Sequence, residues 1–295
     1  MKKEMILLIF SGIFYGVVVP TAQFLSNIGL SSYEIALTTA MVPSILFFII
    51  LIFNKKTIQK KDIKFFLLIG FLNSLLELAW LGSVSVGISV SIVTLLLYTQ
   101  PFWTIIFSKI FFKEKITRLK ILSLIIVLTG VLILVSPWEV NSQLNPIGII
   151  LGGLSGLFYS LFLIISKEAT NKKIHYTTYI FGFSIFTIFW LLLIQPFYQV
   201  IIKNDVLTRF DPSIFFNNLL IILLAGFIIK IIPVVLLYEG ITKIEISTAG
   251  IVLLIEPIIA TILAYFLFNQ PITQSVIIGG LLIIFSNYLI IKKEK

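Results

Sequence analysis

Leu95 to Thr117 reads LLLYTQPFWTIIFSKIFFKEKIT, and 156 positions later Ile251 to Thr273 reads IVLLIEPIIATILAYFLFNQPIT. Leu97, Pro101, Ile106, Phe112, Ile116 and Thr117 recur as Leu253, Pro257, Ile262, Phe268, Ile272 and Thr273. Six matches in 23 positions mean little alone in so apolar a chain, but the same offset also superposes Gly70-Phe71 on Gly226-Phe227 and Ser91 on Ser247 without a gap. A duplicated chain is the expectation that follows.

Of 295 residues, 59% are hydrophobic and 12% charged, and the mean hydropathy is +1.11. That much apolar surface exceeds what a soluble core can hide and calls for lipid. The absence of cysteine excludes disulfide frameworks and Cys-based metal sites, and one histidine speaks against a His-rich metal centre. The net charge of +9 does not point to nucleic acid, because nearly every Lys and Arg lies in a short segment between apolar runs.

The apolar runs cover about 5–24, 33–53, 65–86, 89–112, 117–136, 147–167, 175–201, 214–240, 246–268 and 274–291. Each is about long enough to cross a ~30 Å hydrocarbon core as a helix rising 1.5 Å per residue. Runs near 20 residues favour helices over the ~10-residue strands of a barrel. The least distinct division lies at Gly87. The first run is not read as a signal peptide: it lacks an A-x-A-like site, and its Ser11-Gly-Ile-Phe-Tyr-Gly16 returns as Ser155-Gly-Leu-Phe-Tyr-Ser160.

Ten helices put both termini on one side, and the basic residues choose which. With Lys2 and Lys3 in the cytoplasm, nineteen Lys and Arg fall there, including Lys55, Lys56, Lys109, Lys113, Lys115, Arg118, Lys120, Lys167, Lys243, Lys292 and Lys295. Two, Lys203 and Arg209, fall outside, and Lys230 lies within a helix. Such a bias predicts a multi-pass protein of the cytoplasmic (inner) cell membrane with both termini cytoplasmic. The halves are 1–136 and 147–295, joined by an external linker, 137–146, with a proline at each end. The repeat offset is 144 early on and 156 later, a difference of twelve that fits a longer loop near Lys203 to Ser213. Five helices is an odd number, so the second repeat enters from the opposite side. The expected fold is all-α, ten transmembrane helices as two inverted five-helix repeats, an architecture common among secondary transporters.

At this point the chain resembles the drug/metabolite transporter superfamily, specifically its ten-helix EamA-like members with two EamA domains. The resemblance is carried by the proline-centred helix ending in Glu-x-x-Thr, here Pro101 through Glu114-Lys-Ile-Thr117, and by the glycine-bearing helix after it, Leu128-Thr-Gly-Val-Leu-Ile-Leu134. The second copy keeps Pro257 and Thr273 but has Gln270 for the family's glutamate and Ser286 in place of Gly130. The arginine common in the second helix is missing from Ile35 to Val42, IALTTAMV.

Pro101 and Pro257 each remove a backbone donor mid-helix, so they read as a packing kink or a hinge beside a cavity. Glu256 directly precedes Pro257, and its repeat mate is Gln100. A carboxylate at that depth costs about 2.5 to 3.5 kcal/mol on insertion scales, so it should face protein or water. Two readings stay open for it: a carboxyl bonded to a neighbouring helix, or a group that binds substrate or carries a proton. Glu77 and Lys230 are the other midspan ionisable residues, and they could pair with each other or either could pair with Glu256. Both signs in one cavity would suit a zwitterion. Trp80 shares a helix face with Glu77, and Tyr15, Tyr98, Tyr159 and Tyr238 fall within spans. An aromatic lining offers contact or cation–π attraction, with packing as the plainer alternative, and the repeat mates Tyr15 and Tyr159 are favoured for the lining. Gly12 and Gly16 in the first helix, and Gly148, Gly152 and Gly156 in the sixth, place small residues on one face for close helix approach. Glu114 reads as a salt-bridging residue at the cytoplasmic rim among Lys113, Lys115 and Arg118. His175, beside Lys172 and Lys173, reads as a surface residue, and Tyr238 and Glu239 as interfacial.

The expectation is a secondary active transporter of a small organic metabolite, an amino acid or amphipathic compound, working by alternating access and in the direction of efflux. The expected partners are that substrate, the lipid bilayer and protons, with no nucleic acid, and the chain is expected as a monomer or weak homodimer. No cofactor, metal site or catalytic residue is expected, and no G-x-x-x-x-G-K-[ST] segment supports ATP hydrolysis. The alternatives are an organophosphate or nucleotide-sugar exchanger, which would want several intramembrane cations, and an intramembrane enzyme or receptor.

Overall fold

The computed structural model describes residues 3–54, 58–86, 88, 90–139, 145–202, 210–269 and 271–293. Lys2, Lys55, Lys56, Gly87, residues 140–144 of the linker, Lys203, Arg209, Gln270 and Lys295 lie outside the described residues. Among the described residues, ten helices are long and apolar enough to span a membrane. They are α1 (Lys3–Asn27), α2 (Ser32–Phe53), α3 (Lys60–Val84), α4 (Ile92–Phe112), α5 (Arg118–Val135), α6 (Pro146–Asn171), α7 (Tyr176–Phe197), α8 (Leu219–Gly240), α9 (Ile246–Phe268) and α10 (Gln274–Lys292). No strand occurs among the described residues. Large apolar side chains such as Phe48, Phe53, Ile110, Leu220 and Phe266 face outward, as a lipid-solvated surface requires.

The packing has the pattern of a two-fold exchange of α1–α5 with α6–α10. Helix α1 packs on α8 and α9 as α6 packs on α3 and α4, and α2 meets α8 as α7 meets α3. Mates also meet directly, α2 with α7, α4 with α9 and α5 with α10. This is the ten-helix, inverted five-helix repeat expected from counting.

The duplicated stretch acquires a physical meaning in this frame. Helix α4 breaks at Tyr98 and Thr99 and resumes at Gln100. Helix α9 tightens into a 3₁₀ turn at Leu253–Ile255, with Leu254 at φ −68°, ψ 16°, and resumes at Glu256. The prolines, 101 and 257, sit in the first turn of each resumed segment, where a missing N–H is tolerated. Each segment ends in a left-handed residue, Lys113 and Asn269, both at φ 54°, ψ 31°. The matched threonines then cap the next helix: Thr117 Oγ1 accepts from Lys120 N at 3.3 Å and Thr273 Oγ1 from Val276 N at 3.4 Å. The repeat is thus a break, a cap and a restart, written twice.

The glycines bring the first helix of each repeat against the break in the other. A Cβ on Gly12 would lie 2.5 Å from Ile255 Cγ2, and one on Gly156 would lie 2.5 Å from Thr99 Oγ1 and 2.7 Å from the Leu96 carbonyl. Gly16 lies against Ile259 and the Glu256 carbonyl, Gly148 against Ile88, and Gly152 against Leu96. Backbones approach where only hydrogen fits, which is how helices associate without a hydrophobic drive.

Two distortions were not expected. Helix α1 is interrupted at Gly16 and Val17, four and three residues before Pro20, which cannot donate back to that turn. Its mate α6 has Ile164 at that position and runs unbroken. In α8, Phe227–Ile231 is a π turn directly before Pro233, whose ring crowds the preceding turn and widens it.

Candidate functional site

All four irregularities converge on one cavity of about 80 Å³ between the helices. Tyr15, Val18 and Val19 reach it from the α1 break, Lys230 from the π turn of α8, and Glu256 from the restart of α9. Helix α3 contributes Asn73, Glu77 and Trp80, α2 contributes Thr39, α4 Leu97 and Tyr98, and α6 Tyr159 and Phe162. A volume of this size admits several waters, each needing about 10 to 15 Å³ on this measure.

The acids in the cavity are held differently. Lys230 Nζ donates to Glu77 Oε1 at 2.7 Å and also to Asn73 Oδ1 at 3.4 Å, while Trp80 Nε1 donates to the other Glu77 oxygen at 2.9 Å. Asn73 in turn donates to Thr187 Oγ1 on α7 at 3.3 Å. Both members of this ion pair are buried, and their desolvation is offset by their mutual attraction together with the bonds to Asn73 and from Trp80. Glu256, equally buried, accepts from Tyr159 Oη at 2.8 Å and has no cationic partner among the described residues. Tyr159 meets its repeat mate Tyr15 edge to face, ring centroids 6.3 Å apart.

The structure therefore gathers Glu77, Trp80, Lys230, Glu256, Tyr15, Tyr98 and Tyr159 around one space, and it selects the Glu77–Lys230 pairing among those left open. Gln100 is the exception. Its Nε2 donates to Thr104 Oγ1 at 2.6 Å, and Thr104 joins Ser160 Oγ at 3.0 Å, so the amide is buried away from the cavity wall. The reason is local: Thr104, one turn on, offers a hydroxyl, whereas its mate at 260 is Ala, leaving Glu256 to reach across to Tyr159.

Asn73 and Thr39 line the cavity and were not singled out beforehand. Asn73 was detectable, since it lies one helical turn before Glu77 on the same face. Tyr238 is buried, stacks on Tyr179 with centroids 4.5 Å apart, and donates to the Ile174 carbonyl. His175 is exposed and bonds locally to Thr177.

A second space of about 250 Å³ adjoins the cavity at Val19, lined by Pro20, Gln23, Thr94, Leu134, Pro257, Thr261, Phe268 and Val276. Its residues lie on the halves of α1, α4, α5, α9 and α10 remote from the chain termini. It forms a vestibule toward that face.

The sequence profile of the EamA-like transporter family matches residues 2–136 and 146–292. An uncharacterized transporter of Clostridium kluyveri is 28% identical over 98% of this chain and 93% of its own length. One from Archaeoglobus fulgidus is 24% identical over the full length of both. A solved crystal structure shares the fold across 98% of both chains, with a TM-score of 0.78 at 11% identity.

Proposed function

The chain belongs to the EamA-like transporter family and is a membrane transporter, and from that premise we propose that it exports a small organic compound bearing an ammonium group. The compound is an amino acid or amphipathic amine, and transport proceeds by alternating access across the cytoplasmic membrane, with the face carrying the termini toward the cytoplasm.

One observation carries this reading: Glu77 already has its cation, whereas among the described residues Glu256 is held by the neutral hydroxyl of Tyr159 and by no cation. A carboxylate in a membrane interior is relieved by a proton or by a cation. Glu256 accommodates one or the other, so a proton entering through the vestibule displaces a bound ammonium, and the two fluxes run in opposite directions. Tyr15, Tyr98, Trp80 and Phe162 give the organic body a wall of aromatic contact and cation–π attraction. For a zwitterion, the substrate carboxylate is met by Lys230 while Asn73 and Trp80 keep their bonds to the Lys230–Glu77 pair. A phosphate ester is disfavoured, since Lys230 is the one cation among the described residues lining the cavity and would face a doubly charged group alone.

The test is uptake into proteoliposomes of amino acids, cationic amphipaths and phosphorylated metabolites, with and without a proton gradient. Proton-driven flux confined to amine-bearing compounds supports the reading. Flux of phosphorylated compounds only, or no gradient-dependent or exchange flux for any compound, contradicts it.

A further inference from the structure

The vestibule opens one face of the molecule, and on the other face a cluster of buried polar contacts joins the two repeats. Between α4 and α5, Glu114 accepts from the Ile246 and Ser247 N–H groups at 2.7 and 3.1 Å and from Ser247 Oγ at 2.5 Å. Lys120 Nζ, on α5, donates to Glu245 at 2.5 Å and to Ser247 Oγ at 2.6 Å, and lies 3.9 Å from Glu114. The first repeat thus grips the start of α9 with one carboxylate and one ammonium, both of them buried. Within the second repeat, Lys167 Nζ braces the gripped segment by donating to the Ile241 and Ile244 carbonyls at 2.5 and 3.0 Å.

From this geometry we infer that Glu114, Lys120, Glu245 and Ser247 are the gate residues of the termini-bearing face, closed in this structure, and that their contacts part when the cavity opens to that side. The inference rests on the transport reading above, since a gate has meaning only in a molecule that alternates. Three observations support it. The contacts cross between repeats, which are the bodies that rock in such folds. They sit at the cytoplasm-assigned end of α9, the same helix whose break carries Glu256, so releasing Ser247 frees the segment leading to the cavity acid. And the two-fold repeat does not duplicate them: the mates of Glu114 and Lys120 are Gln270 and Val276, so neither charge is present at the corresponding positions of the other face. A charge-assisted hydrogen bond is roughly twice as strong as a neutral one. The molecule therefore rests with this face shut and the vestibule open, and the repeat-mate positions at the vestibule face lack these two charges.

The chain has no cysteine, so paired spin labels can be placed without removing native thiols. One pair, Lys115→Cys with Thr242→Cys, reads the gated face, and the other, Gln23→Cys with Val276→Cys, reads the vestibule. The experiment measures both distance distributions in lipid nanodiscs for the otherwise unaltered chain and for Glu114→Ala, Glu114→Gln and Lys120→Met. The expected shift is from a single short population at the gated face to a majority of longer distances, with shortening at the vestibule, largest for Glu114→Ala and smaller for Glu114→Gln. Unchanged distributions at both faces in folded variants would show a static helix cap and overturn the inference. Lengthening at the gated face without shortening at the vestibule would mean local fraying and also overturn it. If the distances shift as expected while no compound is carried in the uptake screen, the gate stands and the proposed transport chemistry falls.

Discussion

Helices α4 and α9 are built alike and used differently. Both break ahead of a proline, end in a left-handed residue at φ 54° and hand over to a threonine-capped helix. Yet Gln100 folds back onto Thr104 inside the protein, while Glu256 stands in the central cavity against Tyr159. The shared features are backbone devices that any copy of the repeat needs for its shape. The difference lies in two side chains, Gln for Glu and Thr for Ala one turn on, and it turns a symmetric scaffold into an asymmetric site with one unpaired acid.

The largest effect is expected where the cavity's other acid loses its partner. Lys230→Met leaves Glu77 buried without a cation, a change that typically costs about 3 to 5 kcal/mol. Thermal melting in detergent should show that loss, and Glu77→Gln with Lys230→Met together should recover most of it. Recovery would sharpen the contrast between a paired Glu77 and an unpaired Glu256. No loss in the single variant would mean that Glu77 has other means of relief. Next, Gln100→Glu asks whether the buried position in α4 accepts the charge that α9 carries. A destabilisation of about 2.5 to 3.5 kcal/mol is expected from the insertion cost of a carboxylate. A neutral result would break the comparison, because the two positions would then be interchangeable.

Much of this architecture is legible in the amino-acid sequence itself. Apolar runs of spanning length and the one-sided distribution of Lys and Arg are long-range averages, and they survive local irregularity. The repeat is visible because Pro101 and Pro257, and Thr117 and Thr273, do the same backbone work twice. What was not legible depends on single contacts. Pro20 breaks α1 while leaving hydropathy unchanged, and the π turn before Pro233 leaves no periodic mark in a helix apolar on all sides. The inward turn of Gln100 depends on a hydroxyl four residues away, which a repeat alignment records as Thr against Ala without saying what it binds. Glu114 reads as a salt-bridging residue among Lys113, Lys115 and Arg118; its ionic partner is instead Lys120 at 3.9 Å, and it also accepts from the backbone and Ser247 of the other repeat.

Two smaller effects refine the account of α9. Tyr159→Phe removes the side-chain hydrogen bond that Glu256 accepts among the described residues, and bonds to charged groups contribute about 1.5 to 3 kcal/mol, so apparent substrate affinity should change by roughly tenfold or more. An unaltered affinity would place Tyr159 outside the mechanism. Ala260→Thr gives Glu256 the neighbouring hydroxyl that Gln100 already has. A reduction of transport by roughly tenfold is expected, on the scale of one hydrogen bond to a charged group, about 1.5 kcal/mol. Full activity would show that Thr104 does not explain the placement of Gln100.

The central claim is that Glu256 takes either a proton or the substrate's ammonium group. It is tested most directly by proton-driven flux and substrate exchange measured side by side in proteoliposomes containing Glu256→Gln, which makes the α9 restart chemically like that of α4. Loss of proton-driven flux, with exchange persisting only at much higher substrate concentration, is the predicted result. Coupling to the proton gradient as strong as in the unaltered protein would contradict the account.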